Sequence, residues 1–438
     1  MPDTVEIVHA LNSEFLERGI RYFFPDATLE AIGPAAEVRT ALCMDTRTDG
    51  SVELEWMRTR YRLDRGRSFT EHQIRLLAAI GAVLSMRFRG IFHGASAAST
   101  TRLFDGLPED RYVSAFLNHT PYLDEATPVE RDVIADAIEV MRESSLITYE
   151  NRRVTTGVIL IGAAREAPPA AIAAPPGALP YTNALIATKS LHRLCDGLHT
   201  VFLVNRGGVL SGLADVHEFA AKTAGASLPA PSPHRWQAHS RATLYGGNIC
   251  LALTPNAEIK ALAGGVQVFT FLDGRWRLTD LAEKYHEFRV AMGDGALAER
   301  LFTAARNLAE HRRGGLFVAL DRAEDVRELV SPQDLLSYEG PSTNKSQIHY
   351  LLRGKRVLET EQSVLQSIAR VDGAIVLDRA GRLLAFGAIL RHSGEDLTAL
   401  EGGRTTAAVH ASRFGNALKI SEDGVVSFYR CGRCVWDL

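Results

Sequence analysis

The sequence predicts an α/β protein: a layered C-terminal domain whose mixed β-sheet is flanked by helices, preceded by an N-terminal α+β domain. Strand–turn–strand pieces recur at residues 200–213, 267–281 and 374–390, each with Asp or Asn near a Gly, where the turn requires positive φ. Amphipathic helical patterns lie between them, at 296–313 and 359–370. Helices that alternate with hairpins are typical of helices layered on a mixed sheet.

The length of 438 residues predicts two or three domains. The clearest boundary is AAREAPPAAIAAPPGALPY, residues 163–181, because its five prolines can neither continue a helix nor lie inside a sheet. We therefore expect an N-terminal α+β domain at 1–162 and a linker at 163–181. The C-terminal part is expected to comprise a β-rich elaboration at 182–295 and the main α/β domain at 296–438.

The N-terminal part contains strand-like pieces at 37–43 and 51–57, followed by a long amphipathic pattern, FTEHQIRLLAAIGAVLSMRFRGIF. Thr70 is a predicted N-cap and Glu71 lies in the first turn, so a helix is expected to begin there. Residues 37–90 resemble the closing portion of a GAF-type sensory domain, and this resemblance implies a regulatory, sensor-like role.

The bulk composition is that of a globular protein, with 46% hydrophobic and 23% charged residues. A net charge of −3 with scattered basic residues gives no field that would attract nucleic acid, so no nucleic-acid partner is expected. No apolar run approaches the roughly 20 residues of a membrane helix, and the N-terminus lacks the pattern of a signal peptide. We therefore expect no membrane association and a cytoplasmic location.

The five cysteines are an odd and sparse set for a chain of this length, which argues against a disulfide framework. Cys431 and Cys434 have the spacing of half a zinc site or of a redox pair. A structural zinc site needs four ligands, and no second pair exists. A β-turn between two strands is the favoured interpretation, and a metal or redox role is the alternative.

Three elements near the C-terminus carry residues suited to a nucleotide site. The first is Asp372-Gly373-Ala374, at a junction between a helix and a strand. A carboxylate at the mouth of a strand is a hard ligand for a divalent metal ion, or a base for a ribose hydroxyl. Gly373 lets a ligand approach the backbone closely.

The other two elements follow in order. In GGRTTAAVHASRFG, a turn at Gly402 and Gly403 opens a helix of small residues, so its backbone amides and the positive end of the helix could hold phosphate, and Arg404 adds a guanidinium at the same point. In NALKISEDGVVSFYR, a strand ends at Ser-Glu-Asp-Gly, where Ser421 and Glu422 could contact phosphate, metal or base.

A second Asp-Gly-Ala triplet tests how specific the first one is. Asp294-Gly295-Ala296 opens a predicted helix rather than a strand, so Asp294 is best explained as an N-cap. No G-x-x-x-x-G-K-[ST] pattern occurs, which excludes a P-loop ATPase.

The order of these elements resembles the diadenylate cyclase family, whose catalytic domain is called DAC or DisA-N-like. The resemblance covers about 296–430, in the order of a strand from GGLFVALD, a helix ending in DGA, a hairpin, the Gly-Arg turn and SEDG. It is most specific in the last sixty residues. It implies a domain that binds ATP with Mg²⁺ or Mn²⁺. It also implies a homo-oligomer in which two domains meet face to face and condense two ATP into cyclic di-AMP and pyrophosphate.

Carried over by position, Asp372 is the expected metal ligand and catalytic residue, and Gly373 and Ala374 line the nucleotide. Gly403, Arg404, Thr405 and Thr406 are expected to contact phosphate, with Ser421 and Glu422 completing the site.

The phosphate-binding turn departs from the family's pattern. The family has Gly-Thr-Arg-His-Arg, and this chain lacks the His and the second Arg. Loss of one charge-assisted contact costs about 1.5–3 kcal/mol, or roughly ten- to a hundredfold in affinity. Two functions therefore follow: a diadenylate cyclase, or a catalytically inactive sensor of the same fold that reports a nucleotide or cyclic dinucleotide to a partner.

Overall fold

The protein is described by a computed structural model that covers residues 4–92, 106–118, 132–162, 179–185, 193–223, 225–340, 346–391 and 402–438. The chain divides into two compact units, Met1–Ser227 with Ala238–Asp280 and Leu228–Gln237 with Leu281–Leu438. The predicted α/β class is confirmed, because each unit contains a sheet of mixed direction flanked by helices.

The elements of the first unit are numbered along the chain. Its helices are α1 (Thr4–Phe23), α2 (Glu71–Phe92), α3 (Pro108–Leu117), α4 (Val133–Ser145), α5 (Val216–Ala220) and α6 (Gln237–Ala242, which begins at the unit boundary). Its strands are β1 (Thr28–Thr46), β2 (Val52–Asp64), β3 (Thr148–Tyr149), β4 (Arg152–Arg153), β5 (Thr156–Leu160), β6 (Thr200–Val204), β7 (Leu210–Asp215), β8 (Ile249–Leu253), β9 (Ile259–Ala263), β10 (Val266–Leu272) and β11 (Arg275–Leu278).

The N-terminal strands and the helix after them agree with the sequence pattern. β1 and β2 form one long antiparallel hairpin, longer than the expected pieces because the pairing continues through several register shifts. α2 begins at Glu71 as predicted, and the Thr70 hydroxyl accepts the Gln73 backbone N–H at 3.2 Å. The N-cap assignment of Thr70 is thereby confirmed.

The main sheet of the first unit has the order β11, β10, β9, β8, β5, β6, β7, and only β5 and β6 are parallel. β5 precedes the Pro/Ala-rich segment, yet its strand partners β6 and β8 follow that segment. The segment predicted at 163–181 as a domain boundary therefore lies within one compact unit, because strand pairing joins the chain across it. Residues 163–178 lie outside the described residues, and Tyr181 donates its N–H to the carbonyl of Gly208.

The second unit contains the elements in which the candidate site residues lie. Its helices are α7 (Leu281–Met292), α8 (Gly295–Glu310), α9 (Val326–Leu329), α10 (Gln362–Ala369) and α11 (Gly403–Ala411). Its strands are β12 (Gly315–Leu320), β13 (Ala374–Asp378), β14 (Leu383–Ala388), β15 (Gly415–Ile420), β16 (Val426–Arg430) and β17 (Arg433–Asp437).

The sheet of the second unit has the order β14, β13, β12, β15, β16, β17, with β12 parallel to β13 and antiparallel to β15. Its core packs Val318, Val376 and Ala417 of the central strands against Ala408 and Ala411 of α11. Both helices predicted for this region are confirmed at slightly shorter length, as is the hairpin that β13 and β14 form.

The Cys-Gly-Arg-Cys segment forms the predicted turn. β16 and β17 pair with Arg430 opposite Arg433, and the turn between them places Cys431 and Gly432 at φ values of 51° and 73°. Both cysteines are exposed, and neither forms a disulfide with another described residue. The hairpin interpretation is confirmed.

The two main sheets share one topology. Strands β5 to β10 have the same order and directions as β12 to β17, and β11 is an addition to the first sheet. The register agrees as well. Ile159 on β5 lies opposite Leu203 and Cys250, just as Val318 on β12 lies opposite Val376 and Ala417.

The hairpin turns repeat in atomic detail. The Asn205 side-chain oxygen accepts the Val209 N–H at 3.1 Å, and the Asp378 carboxylate accepts the Arg382 N–H at 2.9 Å. The strand–turn–strand pattern seen in the sequence at 200–213 and 374–390 is therefore one structural unit used twice.

Candidate functional site

One edge of the second unit's sheet gathers the charged candidates. β12 and β13 are parallel and both begin at this edge, whereas β15 is antiparallel to β12 and ends there. Asp372 lies two residues before β13, and Glu422 lies two residues after β15. Arg404 lies in the first turn of α11, which packs on β12 and β15. The sheet topology therefore brings together residues that are up to fifty positions apart.

Arg404 lies between two carboxylates. Its Nη1 donates to Glu422 Oε1 at 2.9 Å, and its Nη2 lies 3.6 Å from Asp372 Oδ1. The Asp372 side chain is 97% exposed and that of Glu422 71% exposed. Ion pairs with such exposed carboxylates contribute only about 0–1 kcal/mol, so a bound ligand can replace them at little cost.

The guanidinium of Arg404 rests on Gly314. A Cβ at Gly314 would lie 2.2 Å from Arg404 Nη1, so any side chain there would displace the arginine. The sequence pattern identifies Gly314 only as the end of a helix. Its second role was missed, and the signal that could have found it is a Gly-Gly pair directly before a buried strand.

The start of α11 borders open space. Gly402 has a φ of 91° and its carbonyl accepts the N–H groups of Thr405 and Thr406. Among the described residues, no atom would lie within 4 Å of a Cβ at Gly402 or Gly403. A phosphate group could therefore approach the first turn of this helix without a steric clash.

The Ser-Glu-Asp-Gly segment forms a tight turn after β15. Ser421 N–H donates to the carbonyl of Val425 at 2.9 Å, and Gly424 N–H donates to the carbonyl of Ser421 at 3.1 Å. The Ser421 hydroxyl donates to the Asp423 carboxylate, so it is engaged within the turn. Glu422 is the residue of this turn whose carboxylate reaches Arg404.

Two other predicted residues take different positions. The Ala374 methyl group is buried in the core, so a ligand could contact this residue only through its backbone. Gly373 has a φ of 106°, and a Cβ there would lie 2.4 Å from the carbonyl carbon of Gly387. The backbone of β14 therefore packs directly against Gly373 in the Asp-Gly-Ala junction.

Lys419 is a charged residue that the motif reading missed. It lies on β15, and its Nζ donates to Thr405 Oγ1 at 3.2 Å and lies 5.9 Å from the centre of the Tyr429 ring. The signal in the sequence is a single charged residue, between Leu418 and Ile420, in the strand GNALKI.

The carboxylates suit a metal ion that is bound mainly by its substrate. Among the residues that the structure describes, no three His, Cys, Asp or Glu side chains form a group able to hold a metal. Mg²⁺ is commonly held by one or two carboxylates together with substrate phosphates. Asp372 and Glu422 could supply those carboxylates, because their exposed ion pairs with Arg404 can be broken at little cost in free energy.

The other Asp-Gly-Ala triplet has the structural role that was predicted. Asp294 is the N-cap of α8, and its carboxylate accepts the N–H groups of Ala296 and Leu297 at 2.9 and 3.0 Å.

The first unit has an Asp-Gly pair four residues before β6, but its carboxylate is occupied. Asp196 Oδ1 accepts the backbone N–H groups of Leu198, His199 and Thr200 at 2.7–3.0 Å. Partial burial acts to raise the pKa of Asp196, but hydrogen bonds from Thr200 and His199 hold it well below its ordinary value. This junction therefore offers no free carboxylate to a ligand.

We expect the first unit to lose stability as the pH falls from about 6.5 to about 4, because of His239. This residue is fully buried, and its Nε2 lies 3.0 Å from the carbonyl oxygen of Gly197. Burial lowers the pKa of His239 to about 4, whereas the unfolded chain has a value of about 6.5. The unfolded state therefore binds the proton first, and up to about 3 kcal/mol of unfolding free energy is lost across that range.

Urea denaturation at pH 7 and pH 5, followed by circular dichroism, measures this loss. The His239→Gln variant should have a smaller difference between the two pH values than the wild type. An equal difference in both proteins would assign the pH dependence to other groups, such as His199 and His217 nearby.

The chain matches no protein-family model and no curated protein. Among solved structures it is similar to a hypothetical membrane-spanning protein from Bacillus cereus, with 22% identity, a TM-score of 0.22, and coverage of 31% of this chain and 59% of that chain. It is also similar to a double mutant of DacA from Staphylococcus aureus, with 19% identity, a TM-score of 0.22, and coverage of 32% of this chain and 86% of that chain. No helix within the described ranges is long and apolar enough to cross a membrane.

Proposed function

We propose that the second unit binds ATP with a divalent metal ion at the sheet edge formed by Asp372, Arg404 and Glu422, and that the protein is a diadenylate cyclase. The observation that carries the proposal is the contact of Arg404 with both carboxylates. These residues come from the three sequence elements whose order resembles the diadenylate cyclase family, and nothing in their sequence spacing requires them to meet.

The proposed reaction joins two ATP molecules in two equivalent steps. The 3′-hydroxyl oxygen of one nucleotide forms a bond to the α-phosphorus of the other, the bond from that phosphorus to the β-phosphate oxygen breaks, and pyrophosphate leaves. The released hydroxyl proton passes to Asp372, which is exposed and returns it to solvent. The second nucleotide is supplied by a second copy of the chain.

The chain's own residues would position the substrate and neutralise its phosphate charge. They would form no covalent bond with it. Phosphoryl transfer depends mainly on in-line positioning and on charge stabilisation. Arg404 would exchange its carboxylate partners for phosphate oxygens, and Thr405 and Thr406 would add hydroxyl contacts. A divalent metal ion, when bound, would neutralise phosphate charge, with Asp372 and Glu422 as its protein ligands.

A second candidate function is a sensor that binds the nucleotide or a cyclic dinucleotide without turnover. It is favoured by the phosphate-binding turn, where Thr405 and Thr406 follow a single arginine. Binding tolerates the loss of one cation better than turnover does, because the transition state requires closer charge compensation than the ground state.

The test is incubation of the full-length protein with ATP and either Mn²⁺ or Mg²⁺, with products resolved by mass spectrometry. Cyclic di-AMP together with pyrophosphate supports the cyclase. Saturable binding of ATP or cyclic di-AMP without product under either metal supports the sensor. A protein that binds no nucleotide contradicts both.

Replacement of Arg404 by alanine is expected to weaken ATP binding by roughly ten- to a hundredfold, because a charge-assisted contact to phosphate is lost. Isothermal titration calorimetry measures the dissociation constant. The matched control is Arg379→Ala, which removes an exposed arginine paired with Asp321 at the opposite edge of the same sheet. If both substitutions change the dissociation constant equally, the phosphates do not bind at Arg404.

A further inference from the structure

We infer that Lys419 supplies a second positive charge to the triphosphate site and that Thr405 positions it. The inference rests on the proposed function and adds a binding residue that lies outside the Gly-Arg turn. It addresses the main departure from the family's pattern, which is the loss of one of two phosphate-binding arginines from that turn.

The contacts of Lys419 place its charge at the start of α11. Its Nζ lies 3.2 Å from the hydroxyl of Thr405, the residue next to Arg404. The side chain is only partly exposed, and its ammonium lies against the Tyr429 ring. Among the residues that the structure describes, no carboxylate forms a salt bridge with Lys419, so its charge is available to a ligand.

The strand geometry explains how a residue of the sheet reaches this helix. Lys419 pairs with Leu316 of β12 and with Ser427 of β16. Because side chains alternate along a strand, Lys419 lies on the same face as Ala417, which packs in the core shared with α11. The lysine is thus the last side chain of that face before the sheet edge at which Glu422 lies.

The first unit is an internal control for what the fold itself requires. Cys250 on β8 occupies the position of Ala417 on β15, so two residues further along the strand Ala252 occupies the position of Lys419. Ala252 is fully buried, and the strand forms there without a charge. A lysine at this position is therefore not needed to build the sheet.

The chemistry of an ammonium group fits the role. A triphosphate carries several negative charges, and lysine binds phosphate as a compact point charge that does not need the fork geometry of arginine. Arg404 precedes Thr405 in the chain, and Lys419 contacts the Thr405 hydroxyl. Together, Arg404 and Lys419 would place two cations at the triphosphate site, where the turn alone supplies one.

The experiment compares ATP, ADP and AMP binding, each with Mg²⁺, by titration calorimetry on the full-length protein. The variants are Lys419→Ala, which introduces the residue found at the same position of the first unit, and Lys419→Arg, which keeps the charge. The matched control is Lys355→Ala, which removes an exposed lysine at the opposite edge of the sheet. Thermal unfolding of each variant verifies the fold.

We expect Lys419→Ala to weaken ATP binding about tenfold or more and AMP binding less than about threefold, because the contact is to the outer phosphates. Lys419→Arg should retain most of the affinity, and Lys355→Ala should match the wild type. Wild-type affinity for ATP in folded Lys419→Ala would overturn the inference and leave the proposed function intact. A wild-type protein that binds none of the three nucleotides would overturn both.

Discussion

Replacement of Asp372 by alanine is expected to reduce the rate of cyclic di-AMP formation by about a hundredfold or more. A side chain that takes up a proton in the transition state commonly contributes about 10²–10⁴-fold, and Asp372 is in addition the proposed metal ligand. The measurement is the initial rate at saturating ATP and Mn²⁺, followed by chromatography. Because the Asp372 side chain is 97% exposed, the substitution should leave the fold intact.

The matched control is Asp294→Ala, because it changes the same residue of an identical Asp-Gly-Ala triplet in the same unit. Asp294 caps α8, so its loss is expected to cost about 1 kcal/mol of stability and to leave the rate unchanged. Equal rates in Asp372→Ala and wild type would contradict the proposed catalytic role. A rate that falls by the same factor in both variants would assign the loss to stability.

If the wild-type protein binds ATP without forming product, the same pair of variants tests metal binding instead. Asp372→Ala should then reduce the dependence of ATP affinity on Mg²⁺, because one of the proposed carboxylate ligands is missing. Asp294→Ala should retain that dependence in full. This comparison separates a site that holds a metal–nucleotide complex from one that holds nucleotide alone.

The sequence allowed prediction of the parts of the fold that depend on neighbouring residues. The hairpins of β6 with β7 and of β13 with β14 follow from turn chemistry within a few positions, and Asp294 follows from the helix it opens. Asp372, Arg404 and Glu422 were selected by the order of their motifs. Each of these inferences uses information that lies close together in the chain.

The features that were missed depend on long-range strand pairing. Lys419 becomes part of the site because β15 runs antiparallel to β12, and Gly314 because α11 packs on β12, and no local pattern specifies either contact. The expected boundary at 163–181 differs from the compact units for the same reason. Prolines report the local backbone conformation, and they carry no information about β5 pairing with β6 and β8.

The repeated topology of the two sheets could be identified only from the structure. The sequence predicts similar turns at Asn205 and Asp378, but it does not predict the strand order on either side of them. Once the register is known, the first unit shows that this sheet can form without the charge of Lys419, because Ala252 occupies the equivalent position. The charge of Lys419 is therefore not a requirement of this sheet architecture.

Replacement of Gly373 by alanine is expected to destabilise the second unit by about 2–6 kcal/mol. Its φ of 106° is unfavourable for an L-residue and costs about 1–3 kcal/mol. A Cβ there would also lie 2.4 Å from the Gly387 carbonyl carbon and 2.7 Å from the Ala388 nitrogen. These are backbone atoms of β14, so relief requires β14 to move away from β13, and overpacking of this kind costs a further 1–3 kcal/mol.

The matched control for this substitution is Gly354→Ala. Gly354 also has a positive φ, 76°, but a Cβ there would have nothing within 4 Å, so only backbone strain of about 1–2 kcal/mol is expected. Hydrogen exchange of the β13 and β14 amides localises the effect to this pair of strands, and urea denaturation gives its size. If the two variants are destabilised equally, the contact with Gly387 does not constrain the junction. If Gly373→Ala alone loses both amide protection and ATP binding, the close approach of β14 is what holds Asp372 at the sheet edge.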